Sequence, residues 1–567
     1  MISISGKKWI EKKVNKNLVE KIKQDFNFKD ILARLIVLRN YDITEINNIN
    51  NNLKLTNIFN KNSDFINASD ILINSINKKE NICILGDYDV DGISATSLLI
   101  RYFTHIKQQF FYYIPDREKD GYGATTKLFQ KLISKKPKLV IMVDCGSTSN
   151  KAIDYLNENN IKSMIIDHHE INRPYPKSNV IINPKKNTDY GEYDYLCSTT
   201  LTYFFIDMII LKTRSKFKLS DFLIYILLAT VCDVMPLRKL NKILASNILR
   251  NFKLENNLAF KTIFDELSLK KKITVEDLGF LIGPIINSGG RLGFSNYGTE
   301  LLTSNNKDTL QKKTSKLINL NNKRKKLEKK ILSKINFAKI FKENKSVIIY
   351  HNNNMHEGLI GIIAARLKEY FNKPSIVLTK SNNVLKASAR STKNYNIGKV
   401  IKLLIDKNII EKGGGHNMAA GFSLKKNNLK LLDDFIQKDY LANNQNFKLL
   451  FKYDSEISAS ALNKDFYDEI EKLGPFGNDN ALPIFLIKNV KILKPKLVGE
   501  NHISSIIKLS TGHSIKSICF NCANTKISEY LLSYKKKINI IAHISENSFN
   551  NKKSIQLNIK DLFLSGN

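Results

Sequence analysis

The chain reads as a multidomain α/β protein: a parallel-sheet domain, a long connecting helix, a second and smaller α/β domain, and a C-terminal OB-like β-barrel. Three observations carry that reading. Short apolar runs at Asn81–Leu85, Lys138–Val143 and Ile161–Ile166 each stop at a polar cluster and give way to a helical pattern. Strand, loop and helix in repetition build a parallel sheet. Residues 305–342 set a narrow apolar stripe (Leu310, Leu317, Leu320, Leu327, Ile331) among Lys and Arg, which predicts one long charged helix. Residues 448–565 alternate apolar and polar positions over several strand-length runs with no long helix, the pattern of a small barrel.

At 567 residues the chain exceeds what one core can organise. Residues 1–75 read as a basic helical segment, 76–304 as the parallel-sheet domain, and 305–342 as the connector. The second α/β domain occupies 343–440, with strand-like runs at Ser346–Tyr350 and Pro374–Leu378. An Asn-rich link near 441–446 leads to the barrel at 448–565. The formal charge is +36, from 89 Lys and Arg against 53 Asp and Glu. That excess favours a polyanionic partner, although a Lys-, Asn- and Ile-rich composition supplies part of it. No signal-peptide pattern opens the chain, and the longest apolar run, Phe222–Cys232, is too short for a bilayer, so no membrane association is expected. Six scattered cysteines make no disulfide framework and predict a reduced, cytoplasmic setting. Cys519 and Cys522 form a CxxC with no second pair to complete a zinc site, and read as one face of a strand or turn.

The chemistry lies where the runs end. In GDYDVDG (86–92) the alternating Asp87, Asp89 and Asp91 can converge at a strand end. The bidentate Glu of a calcium loop is missing downstream, which removes calcium. Asp144 ends the second run in VDCGS, Asp167, His168 and His169 end the third, and Asp233 interrupts the apolar LLATVCDVMPL. Any one of these is unremarkable as a cap or a surface group. Four such sites at element ends point to a shared centre, and carboxylates with imidazoles and no thiolate suit Mn²⁺ or Mg²⁺.

These four motifs, in this order, resemble those of the DHH phosphoesterase superfamily. YIPDREKDGYG (112–123), INPKK (182–186), IINSGGRLG (285–293), MHEGLIGIIAARL (355–367), KASARS (386–391), GGGHNMAAG (413–421) and LGPFGNDNALPIF (473–485) narrow the resemblance to the RecJ family. It covers the chain from about residue 80 to 565. The resemblance implies a DHH catalytic domain, a DHH-associated substrate-binding domain and an OB-like single-strand-binding domain. It implies a single-stranded-DNA-specific 5′→3′ exonuclease that uses two Mn²⁺ or Mg²⁺ ions and releases 5′-mononucleotides. It also implies a role in recombination and repair, as a monomer working beside a helicase and a single-strand-binding protein.

Site roles follow from the same resemblance. Asp87, Asp89, Asp91, Asp144, His168 and Asp233 are the metal ligands, with Asp144 bridging. His169, Asp144 and Asp167 form the catalytic set, His169 beside the phosphate and Asp167 orienting an imidazole. Arg117, Arg291, Ser388, Arg390, His416 and His356 are the phosphate-binding candidates, with GGGH read as a flexible glycine turn. Phe476, Phe485 and Phe549 are candidates for base stacking in the barrel.

The sequence departs from the family at Ile285, where an arginine is expected, and at Ser198, Thr199 and Thr200, which replace a Gly/Ala run. Ala387, Ala389 and Asp479 replace glycines, and Phe549 replaces a tryptophan. None of these is expected to touch a metal ligand. Two other readings are a DHH phosphodiesterase of short oligoribonucleotides or cyclic dinucleotides, and a non-catalytic RecJ-like scaffold. The barrel argues against the first and the retained ligands against the second.

Overall fold

The structure, a computed structural model, describes residues 2–50, 56–116, 120, 123–186, 188–381, 383–444, 450–533, 536–549 and 552–564. The chain divides into two compact units, each discontinuous in sequence. One joins Met1–Lys54, Pro236–Asn247 and Lys448–Asn567; the other joins Leu55–Met235 and Ile248–Phe447.

The second unit holds a wholly parallel sheet of five strands. Their order is Phe110–Tyr113, Ile82–Leu85, Leu139–Val143, Lys162–Ile166 and Val180–Ile182. Every residue of Ile82–Leu85 and Leu139–Val143 is buried. Continuous apolar runs are what a parallel strand covered on both faces requires. Helices Thr126–Leu132 and Asn150–Glu158 cover one face. Val90–His105 and Ser198–Thr213 pack against the same central strands and against each other. The strand order reverses at Ile82–Leu85, since the next strand in sequence lies to one side and all later ones to the other. At such a reversal neighbouring loops part and leave a crevice at the carboxyl ends of the strands.

A second sheet in the same unit runs Lys412–His416, Ala419–Leu424, Val384–Arg390, Ser375–Ser381 and Ile348–His351, parallel only in its last pair. The connector differs from its expected form. Its helix spans Lys307–Leu332, and a separate helix follows at Phe337–Glu343. The Asn336 side chain accepts from Lys339 N and starts the second helix, a local bond that competes with continuing the first. The buried face is also half polar. Leu310, Thr314 and Leu317 lead into buried Asn321, Arg324 and Glu328. Arg324 donates to Asn321 Oδ1 and Glu328 Oε2, and Arg366 donates to Glu328 Oε1 at 2.8 Å. Leu320, Leu327 and Ile331 are left half-buried.

Residues 1–75 are not one helical segment. The strand Lys8–Glu11 pairs in parallel with Leu450–Tyr453, and helices Lys16–Phe26 and Asp30–Leu38 join the core of the C-terminal barrel. Helix Ser63–Asn77 belongs to the other unit, where Asp64 accepts from Lys186 Nζ at 2.9 Å. A four-residue strand (KWIE) whose partner lies at the other end of the chain leaves no periodicity to read.

The barrel has five strands, Phe485–Val498, His502–Lys508, Ser514–Cys519, Ile538–Phe549 and Lys552–Leu564, closed by pairing of the first with the fourth. Asp479 adopts φ 55°, in the left-handed region that favours glycine. Phe485 is fully buried and cannot stack a base, Phe476 packs against the core, and the Phe549 side chain lies outside the described residues. Phe520, half exposed against the His502 ring, is an accessible aromatic that the sequence reading passed over. No helix among the described residues is long and apolar enough to cross a membrane.

The amino-terminal strand is clasped to the barrel by Asp561. This fully buried carboxylate accepts from Ser3 Oγ (2.7 Å), Ser5 Oγ (2.6 Å) and the Trp9 indole (2.9 Å). Asp561→Ala should strand two buried donors, Ser3 Oγ and the Trp9 indole, and destabilise this unit by about 2–4 kcal/mol. Trp9 is the single tryptophan, so its fluorescence during urea unfolding reports the unit directly. An unchanged midpoint would mean the clasp carries no stability.

Candidate metal centre

Each acidic side chain is placed by a backbone feature at the end of an element. Asp89 caps helix Val90–His105, accepting from Asp91 N and Gly92 N at 3.0 and 3.1 Å. Gly92 is required there, because a Cβ would stand 2.6 Å from Asp87 N. The Asp91 carboxylate accepts from Ser198 N and Thr199 N, both at 2.8 Å, at the start of helix Ser198–Thr213. Free N–H groups and the positive end of the helix dipole hold that anion in place. Asp144 follows Leu139–Val143 with φ 61°, a left-handed turn that carries its side chain across the strand ends. Asp233 terminates helix Leu223–Cys232.

The imidazoles come from one loop. Asp167 accepts from the backbone of Ser147 (3.1 Å), His168 (2.8 Å) and His169 (3.2 Å), and from His169 Nδ1 at 2.8 Å. His168 Nε2 lies 3.6 Å from Asp91, 3.4 Å from Asp144 and 3.3 Å from Asp233. The ligand atoms of Asp87, Asp89 and Asp144 fall within 4.8 Å of one another, as do those of Asp91, His168 and Asp233, and those of Asp144, His168 and His169.

Charges this close cannot all be carried without compensation. Burial, followed by the charges of Asp91, Asp89, Asp87 and Asp233, raises the Asp144 carboxyl well above the usual carboxylate range. Burial and Asp91 raise Asp89, and burial, Asp91 and Asp89 raise Asp233. Burial and the neighbouring His169 charge lower His168 to about 4, keeping it neutral. For His169 burial works the other way, yet the charge and hydrogen bond of Asp167 prevail and raise it to about 10. Asp167 itself is held far below its usual range, its burial outweighed by His169.

The residues fit divalent cations. Both ring nitrogens of His168 are buried and hydrogen-bonded to nothing among the described residues, although three carboxylates face Nε2. A neutral imidazole among carboxylates is satisfied by a cation, not by another acceptor. Burial pushes the nearby Cys145, Cys197 and Cys232 thiols up, so they stay protonated and the donor set is oxygen and nitrogen.

His356, Arg291, Ser388 and Arg390, four of the phosphate candidates, gather round helix Glu357–Phe371. His356 caps it, its Nδ1 accepting from Gly358 N at 3.1 Å, and is thereby committed to the fold. Arg291 donates to Gly358 O at 3.2 Å. One turn on, a Cβ at Gly361 would lie 3.0 Å from Arg390 and 3.1 Å from Ser388, which are themselves hydrogen-bonded. His416 is lowered by burial and then by the charges of Arg390, Lys185 and His169. Arg117 lies outside the described residues.

Two expectations are corrected. GGGH is not a turn: Lys412–His416 is an edge strand, and Gly415 is needed because a Cβ would meet Ala419 O at 2.4 Å. Ser198 does touch a proposed ligand, its hydroxyl donating to Asp144 Oδ1 at 3.1 Å, while Thr199 Oγ1 donates to Asp91 O at 2.9 Å. Ile285 is buried, so it serves packing. Asn183 and Lys185 were missed as individual residues. Asn183 donates to Ser147 Oγ (2.8 Å) and His169 O (2.9 Å) and accepts from Lys185 N (2.9 Å), bracing the histidine loop. Both stand in INPKK, and that motif was their only sequence signal.

Comparison with known proteins gives the relationship. Family models for the DHH family N-terminal domain, the DHHA1 domain and the RecJ OB domain match residues 81–230, 344–440 and 453–561. The Haemophilus influenzae single-stranded-DNA-specific exonuclease RecJ is 27% identical over 86% of this chain and 89% of its own length. Its Bacillus subtilis counterpart is 25% identical over 99% and 71%. The crystal structure of RecJ from Thermus thermophilus in complex with Mn²⁺ superposes with a TM-score of 0.80 at 19% identity, covering 98% of this chain and 79% of that one, so the fold is shared. With DHH, DHHA1 and RecJ OB domain models matching in chain order and curated relatives spanning most of its length, the chain is similar throughout to the RecJ exonucleases.

Proposed function

We propose that this chain is a single-stranded-DNA-specific exonuclease that works 5′→3′, hydrolysing phosphodiester bonds to 5′-mononucleotides with two Mn²⁺ or Mg²⁺ ions. The observation that carries the reading is that Asp144 belongs both to the carboxylate group of Asp87 and Asp89 and to the group of His168 and His169. Bound divalent cations would neutralise phosphate charge and make a water acidic enough to attack. Asp87 and Asp89 hold one side of the centre, Asp91, His168 and Asp233 the other, and Asp144 joins them. His169, kept cationic and aimed by Asp167, stabilises the phosphate and can give a proton to the leaving 3′ oxygen. Asn183 and Ser147 fix the loop from which it projects. Arg291, Ser388, Arg390 and His416 offer donors for a terminal 5′-phosphate, and an anchored 5′ end sets the direction of cleavage. On this reading the enzyme acts as a cytoplasmic monomer in recombination and repair, beside a helicase and a single-strand-binding protein.

Single-stranded DNA labelled at either end, with Mn²⁺ or Mg²⁺, tests the assignment. Mononucleotides should leave from the 5′ end of single strands, ahead of duplex and RNA controls, and Asp144→Ala should release none. Turnover confined to dinucleotides or short oligonucleotides would move the chain to the small-substrate branch, and binding without turnover would make it a scaffold. Asp167→Asn should keep metal binding but lower the rate about 10- to 100-fold, the usual effect of removing an orienting group. A wild-type rate would remove Asp167 from the mechanism. Because Asp89, Asp144 and Asp233 are raised, the metal-free centre retains protons that cations must displace. Mn²⁺ affinity should therefore rise with pH above the ordinary carboxylate range, with protons released into the buffer, both measurable by calorimetry. A pH-independent affinity would contradict the retention of protons by the metal-free centre.

A further inference from the structure

Helix Lys307–Leu332 has two unlike faces. At 3.6 residues per turn, Leu310, Thr314, Leu317, Asn321, Arg324 and Glu328 share the buried side. Lys312, Lys316, Lys323, Lys326 and Lys330 fall within an arc of about 80° on the opposite side, and all are exposed. The helix carries two carboxylates, Asp308 in the first turn and Glu328 in the buried network, so none interrupts this row. The row extends over about 27 Å. Its length is comparable to about eight phosphates at the spacing of one strand of B-form DNA.

The ridge is continuous with the catalytic crevice. Helix Gly283–Arg291 lies directly on the GDYDVDG loop, since a Cβ at Gly290 would stand 2.6 Å from Tyr88 O. Three residues past Arg291, Phe294 is 43% exposed and stacks on Tyr297 with ring centroids 5.0 Å apart. Lys313, itself paired with Glu300, and Lys316, a member of the ridge, place their ammonium groups 3.9 and 5.5 Å from the Tyr297 ring. Aromatic rings beside a track of cations suit a single strand, whose bases stack while its phosphates are neutralised; an acidic polypeptide would leave the rings unused.

We propose that this lysine ridge, reached past Phe294 and Tyr297, carries the sugar–phosphate backbone of the substrate strand beyond the catalytic crevice. The proposal rests on the exonuclease reading and adds where the rest of the strand lies. It separates two functions: the crevice takes the terminal nucleotides, and the ridge sets how strongly long strands are preferred over short ones.

The test uses the full chain carrying Lys316→Gln, Lys323→Gln, Lys326→Gln and Lys330→Gln together. Fluorescence anisotropy would follow oligodeoxynucleotides of about 20 and about 6 residues over a salt series, with Ca²⁺ replacing the catalytic cation. For the long strand, the slope of log K against log[salt] should fall by about 0.7 per lost phosphate contact, nearly 3 for all four. Affinity for the short strand, and its hydrolysis with Mn²⁺, should be unchanged. Phe294→Ala should weaken long-strand binding about tenfold with the slope retained. If the wild-type chain binds and cleaves single strands while the quadruple variant keeps the wild-type slope, the ridge is a solvated helix face and the proposal falls alone. If the variant binds DNA normally and loses only affinity for poly-glutamate, the ridge serves an acidic polypeptide and the proposal again falls. A wild-type chain that binds neither strand sinks the exonuclease reading and the ridge with it.

Discussion

Asp87, Asp89, Asp91, Asp144 and Asp233 converge at one largely buried centre, and their mutual repulsion is the constraint on which the catalytic unit depends. Removing carboxylates from water is costly, and each neighbour of like charge adds to the cost. Local structure offsets part of it. The start of helix Ser198–Thr213 meets Asp91 with two N–H groups, Asp89 satisfies the start of its own helix, and Asp167 is balanced by His169. What remains is a concentrated negative charge, offset by retained protons in the absence of metal and suited to a multivalent cation. The parallel sheet makes this arrangement possible, because its reversal of strand order brings the ends of Ile82–Leu85 and Leu139–Val143 side by side.

Much of this was legible in the sequence for a local reason. A parallel strand buried on both faces is an unbroken apolar run, and the first polar residue after it marks the crevice, so Asp87, Asp144 and Asp167 could be placed from the sequence alone. The barrel was legible by its alternation. The smaller sheet came close, with Ile348–His351 and Ser375–Ser381 each set slightly later than the runs that announced them.

Where sequence reading failed, a partner distant in sequence decided the outcome. GGGH has the composition of a turn, but the adjacent strand Ala419–Leu424 draws it into an edge strand. The connector's polar stripe is buried because Arg366, from another helix, completes the pairing of Glu328. Ser198 resembles a neutral replacement for glycine, yet its hydroxyl reaches Asp144 across more than fifty residues. In this chain Asp144 therefore has a donor that glycine could not provide. Phe485 shows the opposite error, an aromatic at strand spacing that faces inward.

The clasp at Asp561 has a consequence for how the molecule is made. Its donors are Ser3, Ser5 and Trp9 and its acceptor is Asp561, so at least 552 residues separate the groups that must meet. The unit bearing the barrel is assembled from three separated stretches, whereas most of the catalytic sheet is encoded by one continuous stretch between them. During synthesis the amino-terminal helices must wait, with the apolar faces destined for the barrel uncovered, while the central sheet emerges and can close on itself. The order of emergence thus leaves these helices exposed until the barrel strands arrive, and makes them a segment in need of protection by chaperones.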